Sequence, residues 1–215
     1  MLKTQTDITI TELNSDSSSE DERKLKIVLM GDSSVGKTSL IHRFINNTFQ
    51  TNTRAINSVK FLSKRFLIND QVIKIYFWNS PPHNRFDNLP YSYFWGASGA
   101  LIVYDMTNEY SFEHTDWWIK LLRKEIYSKS PIVLIGNKAD LQDQIKISSN
   151  NAINKAKKFN IPILETSALN ELNVKEAFYM IIKEVYKFWV EKENKEENAL
   201  ILYRNPHQNN KKSCA

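Results

Sequence analysis

A single cysteine, Cys214, stands in the 215 residues. That excludes an internal disulfide and fits a reducing compartment. No apolar run approaches the length of a membrane span, and the polar N-terminus is not a signal peptide. The histidines, His42, His83, His114 and His207, are scattered and make no metal-ligand cluster in the sequence. No dense Lys/Arg block and no basic stripe interleaved with aromatics occurs, so nucleic acid is not an expected partner despite the net charge of +5. What is present is an ordinary apolar content, 41%, with aromatics at 12%, enough for one core and one domain with tails.

The charge is unevenly spread. Residues 1–22 carry six acids against Lys3, a net −5, which leaves +10 on the rest of the chain. The run SDSSSEDE, from Ser15 to Glu22, marks residues 1–23 as a disordered acidic arm. At the other end, residues 192–215 read as a flexible, mixed-charge tail closing on NNKKSCA.

Between them the chain is organised around KLKIVLMGDSSVGKTSL, Lys24 to Leu40. A β-prone run stops at Gly31; Gly36, Lys37 and Thr38 follow; then a helix-like segment begins. This is G-x-x-x-x-G-K-[ST] with both required flanks. Glycine lets backbone approach a phosphate without a Cβ clash. The N–H groups of Gly31, Asp32, Ser33, Ser34, Val35, Gly36 and Ser39, with the helix N-terminus, make an anion cradle. Lys37 places an ammonium at the β- and γ-phosphates, and the Thr38 hydroxyl is a ligand for Mg²⁺. The chain is expected to bind a nucleoside triphosphate.

Strand-like and helix-like segments alternate from Lys24 to Trp189. A helix is predicted over about 37–47. VKFLSKRFLI and QVIKIYFW, joined by Asn69-Asp70, read as a hairpin. ALIVYD (100–105) and PIVLIGN (131–137) are buried-strand runs flanking a helix at about 109–127. IPILETSAL is a strand and loop, and 173–191 has helical apolar spacing. The alternation implies a mostly parallel α/β sheet covered on both faces, with ligands at the carboxyl ends of the strands.

The base is read from two loops after such strands. In Asn137-Lys138-Ala139-Asp140-Leu141, a carboxylate at Asp140 can accept from guanine N1–H and the 2-amino group, a donor pair adenine lacks. Asn137 can tie this loop to the phosphate loop, and Lys138 can lay its stem over the base. In Glu165-Thr166-Ser167-Ala168-Leu169, the Ala168 N–H can donate to guanine O6.

These blocks resemble the small GTPases of the Ras superfamily, most closely the Rab branch, over about 24–190. GDSSVGKTSLIHRF, YFWGASGALIVYDMTNEYSFEHTDWW, IGNKADL and ETSAL are similar to the family's motifs and stand in its order. The resemblance implies a three-layer P-loop GTPase (G domain) fold over 24–191, with a six-stranded, mostly parallel sheet and about five helices. It implies bound GTP or GDP with Mg²⁺, and switch loops that order around the γ-phosphate. It also implies a monomer that meets effector, exchange-factor and GTPase-activating proteins and cycles between cytoplasm and an endomembrane. Phe49 falls where the family packs an aromatic on guanine.

The same alignment exposes departures. Where the family reads W-D-T-A-G-Q-E-R-F, this chain has Trp78-Asn79-Ser80-Pro81-Pro82-His83-Asn84-Arg85-Phe86. Asn79 replaces the aspartate that orders Mg²⁺ and brings no charge, so any metal role is weak and indirect. Pro82 has no N–H for the γ-phosphate. His83 stands in for the glutamine that orients the attacking water, from a loop of different shape. Ile56 lies where a threonine is needed, with Thr53 and Ser58 out of register. The nucleotide-holding half is intact and the γ-phosphate-sensing half is not. Intrinsic hydrolysis is therefore expected to be very slow, and a pseudo-GTPase scaffold that does not switch on the γ-phosphate is the open alternative. Cys214, one residue from the end rather than in a C-a-a-X box, is the lipidation candidate. A single chain there gives reversible membrane attachment, aided by Lys211 and Lys212.

Overall fold

A computed structural model describes residues 8–13, 22–49, 61–80, 93–126 and 129–204. The strands are β1 (Ile10–Leu13), β2 (Arg23–Met30), β3 (Phe61–Ile68), β4 (Gln71–Asn79), β5 (Gly99–Asp105), β6 (Ile132–Asn137) and β7 (Ile163–Glu165). The helices are α1 (Lys37–Asn46), α2 (Glu109–Glu125), α3 (Ser149–Phe159) and α4 (Val174–Arg204), with a 3₁₀ turn at Gln142–Gln144. One sheet runs β1-β3-β4-β2-β5-β6-β7. From β4 through β2, β5 and β6 to β7 the pairing is parallel; β3 pairs antiparallel to β4 and β1 antiparallel to β3. This is the α/β, mostly parallel sheet that the strand–helix alternation implies.

Every residue of β5 and β6 is buried, as befits central strands covered on both faces. On one face α1 and α4 pack. Phe44 of α1 stacks on Phe178 of α4 at 4.2 Å between ring centres and meets Phe77 of β4 edge-on at 5.5 Å. On the other face Trp118, Ile119 and Leu122 of α2 join Ala152 and Ala156 of α3. The β3–β4 turn puts Asn69 and Asp70 at φ 45° and 66°, both left-handed, as a two-residue hairpin with this pair requires.

Two expectations need correction. The sheet has a seventh strand, and it comes from the arm read as disordered. Ile10 faces Ile68 and Leu13 faces Arg65 across β3. Ile8 and Ile10 pack on the core, and Glu12 pairs with Lys64 at 2.5 Å and Lys175 at 3.5 Å while accepting from the Tyr179 hydroxyl at 2.8 Å. Burial alone would raise the Glu12 pKa, but the bonds and charges of Lys64, Tyr179 and Lys175 outweigh it and lower it. A bare β3 edge is a pairing hazard, and β1 covers its Arg65–Ile68 half. Second, the helix predicted over 173–191 is longer: α4 continues to Arg204. Arg23 pairs with Glu193 and lies 4.2 Å over the Trp189 ring, which ties the helix to β2. The added turns read EKENKEENALILYR, without Gly or Pro, and Pro206 stands two residues on. The helices among the described residues are the four α-helices and the 3₁₀ turn given above.

Candidate nucleotide-binding site

The site grows from the carboxyl end of β2. Gly31 sits at φ +138°, where a Cβ would lie 2.1 Å from the Val103 carbonyl oxygen of β5. Gly36 sits at φ +98°, with a would-be Cβ 2.2 Å from Asn137 Nδ2. Both positions exclude a side chain, and the chain turns from strand into α1 with bare backbone around the loop. The first turn of α1 carries no acid, so its N-terminal amides keep their preference for an anion. Lys37 opens that helix and is buried. Its ammonium donates to the Gly31 carbonyl at 2.7 Å and the Asp32 carbonyl at 2.6 Å. Burial pushes its pKa down to about 8, against the opposing pull of the Asp32 carboxylate. A desolvated cation beside bare amides fits a phosphate group.

Ser33, Ser34, Gly36, Lys37, Thr38 and Ser39 line one wall of a pocket of about 490 Å³, within the size range of small-molecule sites. Gly31 and Val35 shape the loop from behind. Asp32 does not line the pocket: its Oδ1 accepts from Trp118 Nε1 at 2.8 Å and lies 2.6 Å from His114 Nδ1, both on α2. It braces the loop instead of facing a ligand.

The opposite wall comes from the ends of β6 and β7, with Asn137, Lys138, Asp140, Leu141, Ala168 and Leu169, and Phe49 closes a side. Asn137 is 2% exposed and ties three segments. Its Nδ2 donates to the Val35 carbonyl at 2.9 Å, and its Oδ1 accepts from Thr166 Oγ1 and the Ala168 N–H, each at 3.3 Å. The Ala168 amide expected at the base is thus held by Asn137. Ser167, buried behind the wall, donates to Asp140 Oδ1 at 2.5 Å and fixes the carboxylate. Lys138, at φ 69°, pairs with Asp105 at 2.6 Å and presents its stem to the pocket.

Two contributors escaped the sequence reading. Arg43, one turn and a half along α1, donates to the Ala168 carbonyl at 3.0 Å and the Leu169 carbonyl at 3.1 Å, and pairs with Glu171 at 2.6 Å. It clamps the base-side loop onto the phosphate-loop helix. No local pattern signals this, since these three partners lie 125 to 128 residues away. Ser80 also lines the pocket, and its hydroxyl is buried without a partner among the described residues. Beside it, Asn79 Nδ2 donates to Thr38 Oγ1 at 2.7 Å, while Asn79 Oδ1 is buried with no partner among the described residues. Among the described residues no group of three or more His, Cys, Asp or Glu is placed to hold a metal ion. Ile56, His83 and Cys214 lie outside the described residues, with Thr53, Ser58, Pro81 and Pro82.

A phosphate loop between a parallel strand and the next helix, facing base-side loops across one rim, defines the class of P-loop nucleotide-binding domains. A profile of the Ras family matches residues 26–187. The Ras-related protein Rab11B of Nicotiana tabacum is 38% identical over 162 residues, 75% of this chain and 75% of that protein. In Arabidopsis thaliana, the Ras-related protein RABA1h is 36% identical over 162 residues, 75% of this chain and 74% of its own length. RABA4d of the same plant is 38% identical over 162 residues, 75% and 73%. The chain belongs to the Ras family, as a Rab-type small GTPase.

Proposed function

We propose that the chain binds GTP and GDP in this pocket and serves as a switch in membrane traffic, with very slow intrinsic hydrolysis. The observation that carries the reading is the meeting of the phosphate loop, Asn137 and Asp140 on one pocket, with Phe49 at its side. The carboxylate that Ser167 steadies is the acceptor for guanine N1–H and the 2-amino group. The amides at 31–36 and Lys37 take the phosphates, and Thr38 is the hydroxyl nearest any metal role. Calorimetry tests it: GDP and GTP bind at micromolar strength or better, and ATP at least about a hundredfold more weakly. Absence of GDP binding sinks it.

Slow hydrolysis follows from residues that would position water and charge. Phosphoryl transfer here is positioning plus electrostatics. Asn79 lacks a charge, Pro82 lacks an N–H, and His83 replaces the glutamine. Single-turnover loss of the γ-phosphate runs at least about tenfold slower than in a Rab11-type relative; an equal rate contradicts it. A GTPase-activating protein that brings its own glutamine and arginine restores part of the rate.

The Asn79–Thr38 bond also favours a second reading, a scaffold that does not sense the γ-phosphate. Hydrogen exchange over 50–60 and 81–92 separates the two. A switch differs between the GTP and GDP forms, and a scaffold does not, because a ligand shifts an equilibrium only by its differential affinity. Among the described residues no helix is long and apolar enough to cross a membrane. Membrane contact in this reading runs through one lipid on Cys214, with reversible cycling; intact mass of protein from its own host reads the modification.

A further inference from the structure

We propose that this protein keeps its guanine nucleotide when divalent cations are removed, and that Asn79 is the residue that frees it from the metal. The inference rests on the guanine-nucleotide reading above and concerns the phosphate end of the same pocket.

Mg²⁺ is a hard cation that proteins hold through one or two carboxylates plus substrate phosphates. The phosphate end does not offer that donor set. Of the described residues lining the pocket, Asp140 is the single acid, and it stands at the base end against Ser167. Asp32 is turned to His114 and Trp118. The undescribed stretches that flank β3 and β4, 50–60 and 81–92, contain one acid between them, Asp87. No carboxylate is left there: Asn79 Oδ1 and Ser80 Oγ are uncharged oxygens, and the oxygen of the Thr38 hydroxyl already accepts from Asn79 Nδ2 at 2.7 Å. That bond occupies a lone pair a metal would use and aims the positive end of an amide dipole at the oxygen. The described residues do not fit a tightly held Mg²⁺.

They fit a phosphate held without one. With its oxygen accepting from Asn79, Thr38 has its proton to give, and a phosphate oxygen is the acceptor a ligand would bring. Lys37 supplies a buried positive charge, and the acid-free N-terminus of α1 adds its amides. A carboxylate at position 79 would set a negative charge beside Thr38 and hence beside the phosphates, a repulsion that a divalent cation must offset. The amide removes both the repulsion and the need.

The test uses the full chain loaded with N-methylanthraniloyl-GDP in millimolar Mg²⁺, with release followed after adding excess GDP. Chelation by excess EDTA speeds release from the native protein by less than about threefold, and a larger acceleration overturns the proposal. In Asn79→Asp the same chelation speeds release by about tenfold or more; an N79D protein as indifferent to EDTA as the native one overturns the role given to Asn79. Asn79→Ala removes the bond to Thr38 and frees that oxygen for a metal without adding charge, so chelation speeds release more than in the native protein, and this variant serves if N79D fails to fold. An N79A protein as indifferent to EDTA as the native one also overturns that role. No uptake of the labelled GDP even with Mg²⁺ overturns the guanine reading itself, a failure distinct from binding that is lost on chelation.

Discussion

At the base end of the pocket, the polar side chains are held by neighbours: Ser167 steadies Asp140, Thr166 and Ala168 satisfy Asn137, and Arg43 clamps two carbonyls from α1. At the phosphate end, Asn79 Oδ1 and Ser80 Oγ are buried without partners among the described residues, and Lys37 rests on carbonyls of its own loop. A buried polar group with no partner costs stability until something completes it. The base end is therefore preorganised by the protein, while the phosphate end leaves part of its hydrogen-bonding capacity for a ligand. The difference also marks where the chain departs from its family: the base-side motifs and the phosphate loop are kept, and the departures fall at Ile56 and from Asn79 to His83.

The strongest way to break this comparison is at Asp140. Asp140→Asn exchanges an acceptor for an amide that donates where guanine also donates. GDP affinity falls by about a hundredfold or more, and xanthosine diphosphate, which carries an oxygen in place of the 2-amino group, gains. Calorimetry on both ligands checks it; unchanged GDP affinity would move base recognition elsewhere. At the other end the lever is pH. Lys37 is held at about 8 in the empty protein, below its usual 10.5. Phosphates beside it raise that value again, so binding takes up a proton above pH 8. GDP affinity is flat below pH 8 and falls by up to about tenfold per unit above it. Guanosine, with the base and no phosphate, controls for titration of the purine. Stability of the empty protein moves the opposite way. Between about pH 8 and 10.5 the unfolded chain holds the extra proton, so this residue's contribution to stability rises with pH.

A smaller effect is expected where the two ends are joined. Arg43→Ala removes donors to the Ala168 and Leu169 carbonyls and the pair with Glu171. Unfolding free energy drops by about 1–3 kcal/mol and GDP binds more weakly, without a change in preference over ATP. Lost preference would mean that Arg43 shapes base recognition and not only its mounting.

Both rims were legible in the sequence because each is a short motif pinned after an apolar strand, and a motif carries its own geometry. The hairpin was legible for the same reason: Asn69-Asp70 tolerates the left-handed backbone such a turn demands. The rest needed partners far away in the chain. Nothing in the acidic arm announced a strand, because ITEL is four residues long and gains its stability from β3 and the lysines around Glu12. Helix α3 escaped notice since only Ala152 and Ala156 are buried in SNNAINKAKKF; the available signal was Ser148, whose side chain accepts from the Asn151 N–H at 3.2 Å as a cap. Arg43 and Ser80 gain their roles from tertiary placement, which periodicity does not encode.

The finest test of the two ends is one substitution made twice. Ser80 and Ser167 are both serines of the pocket region and both buried, at 3% and 0% exposure. Ser167 donates to Asp140 at 2.5 Å and accepts from the Asn170 N–H at 3.3 Å. Ser80 Oγ has no partner among the described residues. Removing a satisfied hydroxyl strands its partners, whereas removing an orphaned one relieves a desolvation cost. Ser167→Ala therefore destabilises the ligand-free protein by about 1–2 kcal/mol, while Ser80→Ala is neutral or stabilises by up to about 1 kcal/mol. Urea unfolding of both variants without nucleotide reads the two signs. With GDP added, Ser80→Ala loses its advantage if the phosphate end is what completes that hydroxyl. Destabilisation of equal size in both empty variants would erase the contrast between the ends.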